Sequence, residues 1–355
     1  MSKMIDLRSD TVTLPSKEMR KAILSAKLGD DVFGEDPAVN ELETKASKII
    51  GKEAALLVPS GTMGNLVSIL VHCQRGTEII LGDKAHTFVF EAGGISTFGG
   101  VHSRQLKNQA DGTINIEEIK SAIRMDNDHF PKTSAITLEN THNLCNGSPL
   151  SPDYIKDVAQ IAHNNDMKLH IDGARIFNAA VALDVDVKNL VMSADSVTFC
   201  LSKGLSAPVG SVICGSKEFI YHARRNRKAL GGGMRQAGII AAAGIYSLDN
   251  MLDQIKEDHK NAQRLAEGID KIEGLWIDLE NIKTNILYFD IDKEAKQSEK
   301  LAQQRKNVDL YPFEIVLNNI HFFETYPRRF RLVTHYGITG DDIEKTLGVL
   351  DNMVN

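Results

Sequence analysis

The sequence predicts an α/β protein in which a mainly parallel sheet is flanked by helices and followed by a smaller α+β region. Short apolar runs rich in β-branched residues alternate with longer amphipathic runs as far as Ser247, a pattern typical of successive strand–helix units. The chain has 355 residues, of which 42% are hydrophobic. It can therefore bury a large core.

Six apolar runs are predicted as strands and the amphipathic runs between them as helices. The predicted strands are 54–60, 78–83, 134–139, 168–172, 196–201 and 210–215, and the predicted helices are 37–50, 62–74, 116–124, 151–165 and 216–230. From Asp249 onward the pattern predicts one long charged helix and then two strands, within "TNILYFDI" and "RRFRLVTHYG". We expect three regions: an N-terminal arm that is not packed (1–15), a large domain (16–248) and a small C-terminal domain (249–355).

Composition excludes several classes of function. The net charge of −6 gives no basis for nucleic acid or an anionic membrane as a partner. The four cysteines lie far apart in the sequence, without the short spacings of zinc or redox sites, so we expect no metal site and a reducing compartment. The first residues lack a signal-peptide core, and no later run reaches transmembrane length. We expect a soluble, cytoplasmic protein.

Polar residues that follow the predicted strands are the candidates for a binding site, because open α/β sheets bind ligands beyond the carboxyl ends of their strands. Ser60, Gly61 and Thr62 follow the first strand and precede a helix. Their hydroxyls and backbone N–H groups are suited to a phosphate at the helix N-terminus. An ordinary N-cap explains the same residues.

Four later strands or loops add titratable side chains. His86 follows the second strand, His142 the third, Asp172 and Arg175 the fourth, and Lys203 the fifth. Each has an ordinary alternative: capping or packing for the histidines, and a structural ion pair for lysine and aspartate. A carboxylate at the end of an apolar strand is costly to bury without a cation, so Asp172 indicates a buried positive partner.

Pyridoxal 5'-phosphate is a cofactor that requires this combination of groups. It needs a lysine for its Schiff base, an acid beside the pyridine nitrogen, a phosphate site and a flat side chain against the ring. An acid near the nitrogen raises the pKa of that nitrogen. The spacing of the residues alone leaves open both this site and a structural pair between lysine and aspartate.

Long motifs then give a family resemblance. They are "RSDTVT", "GDDVFGEDP", "EAALLVPSGTMGN", "ENTHN", "HIDGARIFNAA", "FCLSKGLSAPVGSVICG", "LGGGMRQAG" and "RLVTH". With them the sequence resembles the low-specificity L-threonine aldolases of the fold-type I pyridoxal-phosphate superfamily, almost from end to end. The resemblance implies a transferase-like fold with a large cofactor-binding domain and a homotetramer, a dimer of dimers with active sites at the dimer interface.

The resemblance also implies roles for individual residues around the cofactor. Lys203 matches the Schiff-base lysine, Asp172 the partner of the pyridine nitrogen, and His86 the histidine that stacks on the ring. Arg175 matches an arginine near the cofactor's O3' and the substrate carboxylate. The loop of Ser60, Gly61 and Thr62 matches the phosphate site, to which Arg235 is added from across a subunit interface; a hinge is the alternative explanation for the glycine run around Arg235.

For the substrate, the resemblance implies that Arg331 and Ser9 bind the α-carboxylate and that His142 lies near the β-hydroxyl. It implies cleavage of L-threonine or L-allo-threonine to glycine and acetaldehyde. The base for the β-hydroxyl stays open between His142 and a water held by His86 and His142. The alternative reaction is β-elimination on another β-substituted amino acid.

Two departures from the family pattern concern substrate preference. Phe90 stands where relatives can carry a tyrosine, and residues 294–327 match the family poorly. The basic run 222–228 is interpreted as a solvated helix face or an interface.

Overall fold

The computed structural model describes residues 3–292 and 313–354, which form two sheets. Seven described strands make the large sheet: β2 (Ala54–Val58), β3 (Glu78–Gly82), β4 (His102–Leu106), β5 (Thr133–Glu139), β6 (Lys168–Asp172), β7 (Ser196–Cys200) and β8 (Ser211–Gly215). Their order across the sheet is β2-β8-β7-β6-β5-β3-β4. The strands from β3 to β7 pair in parallel, whereas β8 runs antiparallel to both neighbours. The predicted mainly parallel sheet is confirmed.

Helices cover both faces of this sheet. The described helices are α1 (Lys17–Leu24), α2 (Pro37–Ile50), α3 (Gly61–His72), α4 (His86–Val89), α5 (Gly94–Thr97), α6 (Ile116–Ala122), α7 (Pro152–His163), α8 (Ile176–Leu183), α9 (Val187–Val191), α10 (Lys217–Ala229), α11 (Gly238–Asn250), α12 (Gln254–Ile269) and α13 (Gly340–Val354). On β2, Ala55 and Leu57 join one apolar cluster while Leu56 and Val58 join another. Because alternate side chains of a strand point to opposite faces, both faces of the sheet are buried, as parallel sheets require.

Most predicted elements are confirmed, with ends that differ by one or two residues. The long charged helix predicted from Asp249 is α12, but it begins later than predicted, at Gln254, because Asp249 and Asn250 end the preceding helix α11. α11 is an apolar helix, separate from the charged helix α12 that follows it. Sequence reasoning also missed β4, because "HSRQL" has a single strongly apolar residue and lies at the edge of the sheet, paired with β3 alone.

The small sheet lies towards the C-terminus but begins with the N-terminal arm. Its described strands are β1 (Ile5–Asp6), β9 (Leu275–Trp276), β10 (Ile286–Ile291), β11 (Phe313–Leu317), β12 (Ile320–Tyr326) and β13 (Arg329–Val333). The expectation that the arm is not packed is wrong. β1 pairs in parallel with β12, and the side chains of Leu7 and Asp10 are fully buried. The sequence did not predict this packing, because β1 has only two paired residues before the buried Leu7, and so short a run shows no alternating strand pattern.

An apolar cluster of its own holds the small sheet against α12 and α13. It contains Phe289, Phe322 and Phe330, whose ring centroids lie 5.1 to 6.4 Å apart. Of the poorly matching segment 294–327, residues 294–312 lie outside the described residues, and the remainder forms β11 and β12. The three-region division at residues 15 and 248 stays a prediction. None of the described helices is both long and apolar enough to span a membrane.

Candidate active site

Polar side chains converge at the carboxyl-end edge of the large sheet. Glu139 and Asp172 are the last residues of β5 and β6 and are register partners. His86 begins α4, four residues after β3 ends, and Lys203 stands three residues beyond the end of β7. Since these strands are parallel, their carboxyl ends share one edge. The structure therefore brings the predicted strand-final residues to the same side of the molecule.

Asp172 and His86 are linked through two residues that the sequence analysis did not single out. Asn65, on α3, donates from Nδ2 to Asp172 Oδ2 and to Glu91 Oε1, each at 2.8 Å. Glu91 Oε1 also lies 2.8 Å from His86 Nδ1. Asn65, Glu91 and Asp172 are all buried. These four side chains make one hydrogen-bonded cluster at the sheet edge.

The charges in this cluster act on one another. Burial raises the pKa of Glu91, and the neighbouring Asp172 raises it further although the His86 hydrogen bond opposes this. Burial alone would lower the pKa of His86, but the hydrogen bond that its Nδ1–H donates to Glu91 and the charge of Asp172 outweigh burial and raise that pKa. The charge of Lys203 opposes this rise. His86 is therefore bonded to Glu91, and the charges of Asp172 and Lys203 act on it in opposite directions.

Arg175 lies beside this cluster in a buried ion pair with Asp10 of the N-terminal arm. Its Nε and Nη2 donate to the two carboxylate oxygens of Asp10 at 2.7 Å. Burial would raise the pKa of Asp10, but Arg175, with Lys203 and His335, holds it well below its usual value. Asp10, which the sequence analysis missed, therefore lies within the influence of both Arg175 and Lys203.

The loop after β2 both caps α3 and offers a potential phosphate site. Ser60 is the N-cap of α3, because its side chain accepts from the N–H of Met63 at 3.2 Å. Gly61 lies close to β7: a Cβ at this position would be 2.9 Å from Cys200 Sγ. Ser60 and Thr62 are exposed, so the helix N-terminus is open to a ligand. A capped helix start with exposed N–H groups and hydroxyls is suited to a phosphate.

Arg331, on β13 of the small sheet, is directed towards the same region by residues of the arm and of the loop after β5. Its Nη2 donates to the carbonyl oxygen of Arg8 at 2.9 Å, and its Nη1 donates to Asn143 Oδ1 at 3.2 Å. Ser9 follows Arg8 and caps a short turn with its hydroxyl, which accepts from the N–H of Thr11. Arg331 and Ser9, distant in sequence, are thus brought together.

His142 is buried in the loop after β5, and neither of its ring nitrogens has a hydrogen-bond partner in the described part of the chain. Glu139 is 3.9 Å from His142 Nε2, and its oxygens accept instead from the N–H groups of His86 and Asn143. A buried imidazole without partners is suited to a polar ligand. Arg235 lies apart from the other predicted residues: its guanidinium is half exposed and pairs with Asp30.

Comparison with known proteins identifies the family. The model of the beta-eliminating lyase family matches residues 6–292. The chain is 47% identical to the probable low-specificity L-threonine aldolase 2 of Arabidopsis thaliana over 98% of its own length and 97% of that protein. It is 42% identical to the low specificity L-threonine aldolase of Escherichia coli (strain K12), over 96% of each chain.

The chain belongs to the beta-eliminating lyase family. The family resemblance stated from the motifs is confirmed. Solved structures agree on the fold of this family. The Leishmania major threonine aldolase superposes with a TM-score of 0.79 at 16% identity, over 99% of this chain and 100% of that one. The serine palmitoyltransferase of Sphingomonas wittichii superposes with a TM-score of 0.72 at 17% identity, over 99% and 87%.

The residues of this family member fit pyridoxal phosphate. Asp172 is 4% exposed and accepts hydrogen bonds from Asn65 and from the N–H of Ala174. No lysine or arginine among the described residues forms an ion pair with it. A buried carboxylate without a cationic partner is suited to a cationic ligand atom. A protonated pyridine nitrogen is such an atom. The lysine that the cofactor requires lies at the same sheet edge.

Proposed function

We propose that this chain is a pyridoxal-phosphate-dependent low-specificity L-threonine aldolase, an aldehyde-lyase that cleaves L-threonine and L-allo-threonine to glycine and acetaldehyde. The observation that carries the proposal is the buried carboxylate of Asp172, without a cationic partner in residues 3–292 and 313–354, at the sheet edge that also bears Lys203. The names of the Arabidopsis and Escherichia coli relatives support the reaction.

Eight residues would hold the cofactor. Lys203 would bind it covalently, Asp172 would pair with its ring nitrogen and His86 would stack on its ring. The phosphate would lie at the N-terminus of α3, and Arg175 would lie near the cofactor's O3'. The residues of the phosphate site would be Ser60, Gly61, Thr62 and Arg235. When bound, the cofactor supplies an electron sink for the charge left on the substrate's Cα as the Cα–Cβ bond breaks.

The substrate carboxylate would be bound by Arg331 and Ser9. Nε of Arg331 is buried and has no hydrogen-bond partner in the described part of the chain. The planar guanidinium provides several donors in a fixed plane, which suits a carboxylate. Holding the carboxylate from the small sheet while the amine lies at Lys203 orients the Cα–Cβ bond, which selects the bond that breaks.

The β-hydroxyl proton would pass to His142 or to a water held between His86 and His142. The two unpartnered nitrogens of His142 support its contact with the substrate. The Glu91 carboxyl at Nδ1 of His86 supports a tautomer in which Nε2 of His86 accepts a proton. Both histidines follow strands at the same sheet edge as Lys203, which supports either route.

A visible absorption spectrum before and after addition of L-threonine, with acetaldehyde assayed in the same sample, tests this function. We expect a band at about 420 nm, the region typical of this cofactor bound to lysine, and acetaldehyde formation by the wild type. Lys203→Ala should lose both. A band without acetaldehyde would remove the aldolase assignment and leave the cofactor assignment; no band after addition of pyridoxal phosphate would remove both.

β-Elimination on another β-substituted amino acid is the second candidate, favoured by the description of the family model that matches the chain. Product analysis separates the two reactions. Elimination from threonine yields 2-oxobutanoate and ammonia, whereas aldol cleavage yields acetaldehyde and glycine. Detection of 2-oxobutanoate as the main product would overturn the aldolase proposal in favour of elimination.

We also propose a homotetramer, a dimer of dimers, in the cytoplasm. Exposed apolar side chains support an interface: Phe33, Phe88, Val89, Phe90 and Phe98 are 40 to 71% exposed. The guanidinium of Arg235 lies over the Phe33 ring at 5.9 Å, so the residue proposed to reach a neighbouring phosphate site is next to one of these exposed rings. The four cysteines are free and buried, which supports a reducing compartment. Sedimentation analysis and cell fractionation test the two proposals.

A further inference from the structure

A chain of hydrogen bonds runs beneath α3, away from the sheet edge. From Asn65 Oδ1 it passes to His170 Nε2 at 3.2 Å, from His170 Nδ1 to Ser196 Oγ at 2.8 Å, and from Ser196 Oγ to His72 Nε2 at 2.7 Å. Asn65, His170 and Ser196 are at most 1% exposed. The chain therefore links Asp172 at the site to His72 at the other end of α3.

The orientation of the Asn65 amide assigns a direction to each hydrogen bond of this chain. Nδ2 of Asn65 must face Asp172 and Glu91, because the reversed amide would place its carbonyl oxygen against two carboxyl groups. Oδ1 of Asn65 must then accept from His170, so His170 carries its proton on Nε2. Nδ1 of His170 accepts from the Ser196 hydroxyl. The hydroxyl oxygen in turn accepts from Nε2–H of His72.

Both histidines are suited to this single arrangement. Burial lowers the pKa of His170 to about 3. Burial, with the nearby His170, lowers the pKa of His72 to about 3. Each ring is therefore neutral at neutral pH and carries one proton, which the hydrogen-bond chain assigns to Nε2. A neutral donor with a fixed tautomer orients the Asn65 amide without adding charge to the site.

We propose that Asn65 is a positioning residue of this site: the chain from His72 through Ser196 and His170 orients its amide so that its two N–H groups hold Asp172 towards the cofactor's ring nitrogen and Glu91 towards His86. The inference rests on the proposed function, which assigns Asp172 to the ring nitrogen of the cofactor and His86, the partner of Glu91, to its ring. The partners of the Asn65 side chain are Asp172, Glu91 and His170. Asn65 acts through Asp172 and Glu91.

The first test needs no cofactor. Protein labelled with ¹⁵N-histidine, free of cofactor, is examined by NMR between about pH 6 and about pH 9, where an ordinary histidine titrates. His170→Gln and His72→Gln assign the two sets of signals. We expect both residues to remain neutral with the proton on Nε2 throughout. A proton on Nδ1 of His170, or its titration in this range, would overturn the proposed orientation.

The second test compares the affinity for pyridoxal phosphate. Asn65→Asp keeps the shape but replaces the donor with a third carboxyl; we expect affinity to fall about 10- to 100-fold, the usual effect of losing a hydrogen bond to a charged group. His170→Gln retains a donor for Asn65, whereas His170→Phe deletes it. We expect the glutamine variant to bind close to wild type and the phenylalanine variant to bind more weakly.

Ser68→Ala is the matched control, because Ser68 is buried on the same helix and bonds within it to the carbonyl of Gly64. It should bind the cofactor like the wild type. Equal affinity of Asn65→Asp and wild type, or equal losses in the two His170 variants, would overturn the proposal. If His170→Phe does not fold, the affinity of Asn65→Asp and the tautomer measurement still test the proposal. A wild type that binds cofactor but does not cleave threonine would contradict the proposed function alone.

Discussion

Arg175 and Asp10 form a buried ion pair with two hydrogen bonds of 2.7 Å, which joins the residue before α8 to the N-terminal arm. The arm is held at the same time by β1 in the small sheet. Because Asp10 also lies within the influence of Lys203, the pair holds the arm, which carries Ser9, at the proposed site. The ion pair thus connects both sheets through the first residues of the chain.

Removing the charge of Asp10 should strongly destabilise the protein. Asp10→Asn leaves the guanidinium of Arg175 buried without a compensating carboxylate, so we expect the free energy of unfolding to fall by about 3 to 5 kcal/mol. Urea unfolding measures it. Asp249→Asn is the control, since the pair of Asp249 with Lys45 is partly exposed and should contribute less than about 1 kcal/mol. Equal losses in the two variants would contradict the structural role of the buried pair.

The sequence predicted residues whose position follows from strand topology. Asp172, His86 and Lys203 follow parallel strands, and such strands place their carboxyl ends together. Their meeting could be predicted without any knowledge of side-chain contacts. The helix start at Ser60 could also be predicted, because a capping residue and a glycine stand at the beginning of an apolar helical pattern.

The partners of these residues could not be predicted in the same way. Asp10 and Arg175 are 165 residues apart, and Asn65 and Asp172 are 107 apart, so no local period relates them. Asn65 lies within the helical pattern of α3, where a buried asparagine gives no separate signal. The one available hint was Glu91, an acidic residue five positions after His86 in "HTFVFEAGG".

Glu91 should set the titration of His86. The hydrogen bond that His86 donates to Glu91 and the charge of Asp172 raise the pKa of His86 against the effect of burial. Because a carboxylate stabilises the imidazolium form, Glu91→Gln should lower the midpoint at which His86 titrates. NMR of ¹⁵N-histidine in cofactor-free protein measures this midpoint.

Phe90→Leu is the matched control for that experiment. Phe90 also contacts the His86 ring, with centroids 5.5 Å apart, but it carries no charge. The His86 midpoint should therefore stay at its wild-type value. A midpoint that is unchanged in Glu91→Gln, or lowered equally in both variants, would mean that packing and not the carboxyl group sets this pKa.

Asp258 on α12 should make stability depend on pH. Burial, with the nearby Asp10, raises its pKa to about 7, although Gln254 opposes this. An aspartate whose folded pKa lies above the unfolded value favours folding fully below about pH 3.8, and this contribution is lost as pH rises towards about 7. Asp258→Asn removes the ionisation, so its stability relative to wild type should increase between about pH 5 and about pH 8 by about 3 kcal/mol.

Urea unfolding at the two pH values measures the difference for Asp258→Asn. Asp253→Asn is the control, because the Asp253 side chain is 94% exposed beside the start of the same helix and should show no such change. If both variants keep a constant difference from wild type between the two pH values, Asp258 does not titrate in this range in the folded protein.

Arg331 should determine substrate affinity through the shape of its guanidinium. Arg331→Lys keeps the positive charge but loses the planar set of donors that now reaches Arg8 and Asn143. We expect KM for L-threonine to rise about 10- to 100-fold, as loss of a hydrogen bond to a charged group predicts, with a smaller change in kcat. Steady-state kinetics measures both constants. Arg329→Lys, on the same strand but with a side chain 42% exposed and paired with Asp290, should leave KM unchanged; equal effects of the two variants would place the carboxylate site elsewhere.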